Sequence, residues 1–301
     1  MKNPILSVLS GLYGLGTGLR NKAYDLEWKR SFQFDFPIIG VGNLSAGGTG
    51  KTPCVAWLAK YLLPTYKVAS LSRGYGRKTA GYYMGTSLSK VEDIGDEAKL
   101  LKRKFPDLEI AVSELRVPAI PAILEDEEGI QVILLDDCFQ HRALIPGLQI
   151  LLTPYEKLYT EDDLLPLGRL REYASGAARA DIIIVTKCPD KLNHGQREEV
   201  LKKLNPNSNQ KVFFAGLKYG IPYPLTRLNS PTSTPPSSSA LLVTGIAWAD
   251  PLVRYTKSKW AKVEHIEYPD HYKYGPLDFD KMITQLDAID GPAFVLTTEK
   301  D

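Results

Sequence analysis

Short apolar runs alternate with helical or loop stretches along most of the chain. Ile38, Ile39 and Val41 open the series. It continues with KVASL (67–71), EIAV (109–112), QVILLDD (131–137), QILLT (149–153), DIIIVTK (181–187) and VFFAGL (212–217). Between them, DEAKLLKRKF (96–105) and residues 117–125 carry helical patterns. Strands alternating with helices predict an α/β fold with a doubly wound, mostly parallel sheet. Residues 229–239, NSPTSTPPSSS, lack periodicity and read as a linker or loop. Beyond them ALLVTGIA, ADPLVRYTKSKW, KVEHIEY and PAFVLTT predict a second, smaller α/β unit. The expected division is therefore an N-terminal helix over 1–24, a core over 25–228, a linker over 229–239 and a small unit over 240–301.

The first segment has a different pattern. Ile5, Val8, Leu9, Leu12, Leu15 and Leu19 recur at helical spacing, while Ser7, Ser10, Gly11, Gly14, Thr17 and Gly18 fall mostly on the other face. Arg20 and Lys22 close the stretch. Such a helix is short for a membrane span and amphipathic in character. Packing on the core and lying at a membrane interface both fit the pattern. An apolar run after Lys2 also has the outline of a signal peptide, but export would remove the chain from cytosolic ATP.

Composition narrows the classes. At 301 residues, with 44% apolar and 24% charged residues, the chain is an ordinary soluble globular protein of about two domains. A net charge of +2 argues against a nucleic-acid binder. Cys54, Cys138 and Cys188 are scattered and odd in number, which points to a reducing compartment rather than a disulfide framework. The four histidines show no zinc-site clustering.

The most informative stretch follows the first strand: GNLSAGGTGKTP, residues 42–53. A strand, a glycine-rich turn and a helix in that order make a phosphate loop, here Ser45, Ala46, Gly47, Gly48, Thr49 and Gly50, followed by Lys51 and Thr52. The glycines let backbone N–H groups turn toward phosphate oxygens, and the helix N-terminus adds its positive end. Lys51 can reach the β- and γ-phosphates and the Thr52 hydroxyl can ligate Mg²⁺. Ser45 stands where the usual pattern has its first glycine. A nucleoside triphosphate site is expected, with ATP and Mg²⁺ as its occupants.

Other candidates leave the same sheet edge. QVILLDD ends in Asp136 and Asp137, where a P-loop enzyme holds Mg²⁺ or its water shell. Gln140 and His141 follow, where a substrate would sit. SRGYGRK (72–78) supplies Arg73, Tyr75 and Arg77, and LPLGRLRE (165–172) supplies Arg169, Arg171 and Glu172. Two arginine-bearing loops on one edge point to a phosphorylated substrate. Asp96 is placed to cap the helix that follows, with Glu97 in its first turn. Asp270 and His271 lie in a loop of the small unit. TKCPD (186–190) approaches the guanine-reading Asn-Lys-x-Asp element but departs from it twice, which argues against guanine specificity.

Taken together these motifs resemble the tetraacyldisaccharide 4′-kinase (lipid A 4′-kinase) family over nearly the whole length. The likeness is carried by GNLSAGGTGKTP, SRGYGRK, GDE (95–97), DDCFQH (136–141), PLGRLRE, the strand ending in Thr186 and Lys187, YPDHYKY (268–274) and TEKD (298–301). Cys138 and Ala98 depart from the family's usual glycine and proline. The chain ends inside TEKD, a motif the family continues, so a C-terminal piece is expected to be missing. The resemblance implies transfer of the ATP γ-phosphoryl group to the 4′-hydroxyl of a tetraacylated glucosamine disaccharide 1-phosphate. It implies Asp96 and His271 as a base dyad; no obligate protein partner is inferred. It also implies peripheral work at the cytoplasmic face of the inner membrane, which favours the interfacial reading of the N-terminal helix. The alternatives are a P-loop GTPase or metallochaperone-type ATPase acting on a protein partner, and a nucleotide-binding module without chemistry.

Overall fold

Apolar runs without polar alternation become strands buried on both faces. The computed structural model describes residues 3–225 and 239–301. Its contacts divide the chain into Met1–Leu217 and Lys218–Asp301. The first unit runs α1 (Pro4–Asp25), β1 (Phe32–Gln33), β2 (Ile38–Asn43), α2 (Lys51–Leu62), β3 (Val68–Ser72), β4 (Tyr83–Gly85), α3 (Val91–Ile94), α4 (Asp96–Lys104) and β5 (Glu109–Val112). It continues with α5 (Arg116–Asp126), β6 (Val132–Asp136), β7 (Leu144–Ile145), β8 (Leu148–Pro154), β9 (Ile182–Cys188), α6 (His194–Leu204) and β10 (Lys211–Gly216). Two 3₁₀ turns, Tyr159–Glu161 and Ala174–Arg179, lie between β8 and β9.

Eight strands form one sheet in the order β10-β9-β8-β2-β6-β3-β5-β4, parallel throughout except for β4 against β5. β1 and β7 make a separate two-residue parallel pair. The sheet's two faces separate cleanly along β6. Val132 and Leu134 pack with Val55, Leu58, Ala98 and Leu101 of α2 and α4, whereas Ile133 and Leu135 pack with Ile120 and Ile123 of α5. Because the strands are parallel, the loops after β2, β3, β6, β8 and β9 leave one edge. β2 has β6 on one side and β8 on the other, and ligands bind at such a switch in strand order.

The second unit is a three-stranded parallel sheet, β12-β11-β13, built from β11 (Ser239–Thr244), α7 (Asp250–Lys257), β12 (Lys262–Glu267), α8 (Pro276–Asp287) and β13 (Ala293–Leu296). Its core is Leu241, Val243, Ile266, Tyr268, Met282 and Ile289. Ser239 was expected in the linker but is the buried first residue of β11; residues 229–238 lie outside the described residues.

α1 packs by its small and polar face. Ser10 Oγ donates to the Leu164 carbonyl at 2.9 Å and Tyr13 Oη to that of Arg171 at 2.9 Å. A Cβ on Gly14 would stand 2.5 Å from Tyr173 Oη, so a larger residue would have to displace that side chain. Ile5, Val8, Leu9, Leu12, Leu15 and Leu19 point outward and are 46–69% exposed. The apolar stripe is not core.

Candidate active site

The phosphate loop is shaped from below by Asn43, the buried last residue of β2. Its Nδ2 donates to the Ser45 carbonyl at 2.6 Å and to Thr49 Oγ1 at 2.7 Å, and its Oδ1 stands 3.5 Å from Lys51 Nζ. Gly42, just before it, has no space for a side chain: a Cβ would meet the Phe139 amide nitrogen at 2.7 Å. Gly50 adopts φ 94° and caps α2, whose first residues are Lys51 and Thr52. Ser45 is buried and bridges to Leu170. On either side, the Ala46 N–H donates to the Arg169 carbonyl and the Arg171 N–H to that of Leu44, both at 2.7 Å. The 165–172 loop therefore runs against the phosphate loop.

The two carboxylates at the end of β6 have different surroundings. Asp136 is 2% exposed, and neither carboxylate oxygen accepts a well-formed hydrogen bond. Burial pushes its pKa up to about 7, the Glu97 and Asp137 carboxylates push the same way, and Lys51 opposes them. Asp137, at φ 49°, turns its side chain to cations. Arg171 Nη1 donates to both its oxygens, and Lys51 Nζ lies 3.7 Å from Oδ1. Glu97 was read only as a first-turn acid; its nearness to Asp136 is invisible in the sequence.

Several expected substrate residues prove to be engaged within the protein. Glu172 is buried and accepts from Arg179 Nη2 at 2.9 Å, Asn21 Nδ2 at 2.6 Å and Gln140 Nε2 at 3.0 Å. Gln140 Nε2 also donates to the Asn43 carbonyl at 2.9 Å, and its own carbonyl accepts from Arg20. Glu172 and Gln140 thus tie α1, the β6 loop and the phosphate loop together. Arg77 is committed to Glu114, Thr79 and the Gly81 carbonyl, with almost none of its side chain exposed. The expectation that Arg77 anchors substrate is withdrawn. Arg169 pairs with Asp162.

Arg73 and Tyr75 are exposed on the same edge. Arg73 is near enough to His141, with Arg116 and Arg20, to add to the effect of burial in pushing the imidazole down to about 4. His141 Nε2 accepts from the Arg116 N–H at 3.4 Å, so the ring is a neutral acceptor at physiological pH. Arg116 is itself buried, donating to the Ser113 and Asp136 carbonyls. Asp96 is the first helical residue of α4 rather than its cap. Gly95 takes the cap position at φ 87°, and Asp96 Oδ1 accepts from the Glu97 N–H at 2.9 Å.

His271 belongs to the second unit. It sits at φ 61° with its N–H on the Gly245 carbonyl, its Nε2 3.4 Å from Lys300 Nζ, and Lys300 held by Asp270 at 2.8 Å. Asp301 organises the surrounding loop, accepting from the Gly245 N–H, Tyr274 Oη and Thr298 Oγ1.

A family model described as tetraacyldisaccharide-1-P 4′-kinase matches residues 2–301. The chain belongs to this family. A tetraacyldisaccharide 4′-kinase from Flavobacterium johnsoniae is 39% identical over 297 residues, covering 99% of this chain and 86% of the relative. One from Porphyromonas gingivalis is 42% identical over 305 residues, covering 99% and 85%. Among solved structures, LpxK from Aquifex aeolicus in complex with ATP matches at a TM-score of 0.70 and 28% identity, covering 97% of this chain and 87% of that one. This family member is an ATP-dependent lipid A 4′-kinase whose substrate is the lipid A precursor. These relatives are kinases by name, so the reading as a hydrolase coupled to a protein partner is carried no further.

Proposed function

We propose that phosphoryl transfer to the 4′-hydroxyl takes place on the loop edge of the large sheet, with ATP on residues 45–52 and Mg²⁺ beside Asp136. The unpartnered, buried Asp136 carboxylate carries this reading. An isolated buried carboxylate is costly, and a divalent cation would remove the cost. Its environment fits the ion: one carboxylate, the Thr52 hydroxyl at the start of α2 and ATP phosphates are the donors magnesium takes in phosphoryl-transfer sites. Among the described residues no group of three or more His, Cys, Asp and Glu side chains could hold a metal alone. That accords with a site completed by phosphate oxygens. Asp137, already shared between Arg171 and Lys51, is the less suited of the pair to direct ligation. Bound magnesium would offset phosphate charge and help orient the γ-phosphoryl group.

Lys51 neutralises β- and γ-phosphate charge. Asp96, by family resemblance, orients the 4′-hydroxyl and takes its proton. In a loose transfer the proton leaves late, so positioning matters more than base strength. Arg73, Tyr75, His141 and Arg169 serve the lipid headgroup. The exposed stripe of α1, flanked by Arg20 and Lys22, meets the bilayer at its cytoplasmic surface, since four acyl chains leave a membrane only at high cost. Among the described residues no helix is long and apolar enough to cross a membrane.

The test measures ADP release with ATP and Mg²⁺, with and without disaccharide 1-phosphate lipid, and again with chelator. Lipid-dependent release that chelator abolishes and Asp136→Asn lowers by about a hundredfold or more is expected. Chelator-insensitive transfer, or full activity in Asp136→Asn, would overturn the magnesium assignment.

A further inference from the structure

Thr186 and Lys187 of TKCPD hold the outside of the phosphate loop. β9 is separated from β2 by β8, so contact with the loop after β2 reaches across one strand. Thr186, buried near the end of β9, donates its Oγ1 proton to the Thr49 carbonyl at 2.8 Å. Its own carbonyl accepts from the Tyr155 N–H at 2.9 Å, which fixes the residue to β8. Lys187 follows at φ 57°, a left-handed conformation that costs a non-glycine residue about 1 kcal/mol or more. From that turn its Nζ reaches the Gly48 carbonyl at 2.5 Å. Burial, aided by Arg169, pushes Lys187 down to about 8, so the residue holds the Gly48 carbonyl at a cost in both backbone and charge.

The geometry of a trans peptide gives these contacts a consequence. Its C=O and N–H point opposite ways. With the Thr49 carbonyl turned to Thr186, the Gly50 N–H is turned away from β9. Gly50 is also the cap of α2, so this N–H belongs to the cluster of donors at the helix start that phosphate oxygens use. We propose that Thr186 and Lys187 are positioning residues for ATP, clamping the Gly48 and Thr49 carbonyls so that the path of the loop is held and the Gly50 amide is preset for the phosphates. The clamp rests on the reading of residues 45–52 as the ATP site and adds to it a determinant outside the loop.

Four variants test it: Thr186→Val and Thr186→Ser, Lys187→Met and Lys187→Arg. The readouts are KM for ATP, KM for lipid, kcat, and ATP affinity without lipid, with Lys51→Ala in parallel. Thr186→Val should raise ATP KM and weaken ATP affinity by about tenfold, the size of one lost buried hydrogen bond. Lipid KM should stay within about twofold, and Thr186→Ser should restore most of the loss. Lys187→Met should behave like Thr186→Val, with Lys187→Arg intermediate. An unchanged ATP KM, an equal rise for both substrates, or a loss that serine does not restore would each overturn the clamp. If Thr186→Val does not fold, the partly exposed Lys187 pair decides by the same criteria. Failure of the ATP-site reading looks different: Lys51→Ala then binds ATP as wild type does.

Discussion

Arg171 donates one guanidinium nitrogen to both carboxylate oxygens of Asp137, at 2.9 and 3.0 Å, and Lys51 approaches the same carboxylate at 3.7 Å. Asp137 therefore sits between the phosphate-loop lysine and an arginine that a bare sequence assigns to substrate. If Arg171 acts through Asp137, removing it after Asp137 is neutralised should cost nothing further. Asp137→Asn is a mild change for the backbone, because asparagine tolerates φ 49°. We expect Arg171→Ala and Asp137→Asn each to lower kcat by about tenfold or more, and the double variant to match the poorer single. Additive losses, with lipid KM rising only in Arg171→Ala, would return Arg171 to the substrate phosphate.

Glu172 is expected to matter for folding before it matters for catalysis. Its carboxylate is held by Arg179, Asn21 and Gln140 and is almost wholly buried. Glu172→Ala leaves the Arg179 guanidinium, shielded by Phe139, without its counter-charge. Breaking such a pair costs about 3–5 kcal/mol, with the lower end expected here because Arg179 keeps some solvent contact. Urea midpoints of the wild type and Glu172→Ala measure it, and an unchanged midpoint would make Glu172 dispensable to the fold.

Local pattern carried much of this fold. EIAV became β5 residue for residue, and the apolar run ending at Asp136 became β6, because strands buried on both faces leave an unbroken apolar signature. The amphipathic spacing of α1 was also readable, and its outward apolar face was one of the two readings that the spacing permits. What the pattern lacked was long-range chemistry. Arg171 and Asp137 are 34 positions apart, and Thr186 meets Thr49 across 137, so neither pairing leaves a local trace. Asn43 looked like an ordinary strand end until its amide was seen to hold Ser45 and Thr49. α8 was missed because Leu277, Phe279 and Ile283 are exposed while Met282 faces the core, which blurs the helical stripe.

His141 gives the stability a pH dependence of definite sign. Its pKa falls from the usual 6.5 to about 4 in the folded protein, first through burial and then through Arg116, Arg20 and Arg73. Between those values the unfolded chain binds a proton that the native state refuses, so stability rises with pH across the window. The contribution is complete above about pH 6.5 and is lost as pH falls toward 4. His141→Asn should therefore narrow the difference between urea midpoints at pH 5 and pH 7.5. An unchanged difference would mean that His141 titrates normally.

The outward stripe of α1 makes the proposed membrane contact separable from folding. Val8 and Leu12 are 66% and 62% exposed, so replacing both with Asp removes little buried area. Surface changes of this kind fall within about 0.5 kcal/mol each. The contacts that hold α1, from Ser10, Tyr13 and Gly14, lie on the opposite face and stay intact. Against a bilayer the same side chains would each contribute up to about 1.5–3 kcal/mol at full burial, less when only one face is covered. A few of them would suffice for the proposed reversible attachment, with Lys22 closest to anionic headgroups. Val8→Asp/Leu12→Asp should thus keep the wild-type melting temperature within a few degrees, lose vesicle binding, and raise KM for long-chain lipid. Activity on a short-chain, detergent-soluble analogue should be spared. A double variant that still sediments with vesicles would move the membrane contact off α1. One that melts far below wild type would show that the stripe is covered in solution by something other than lipid.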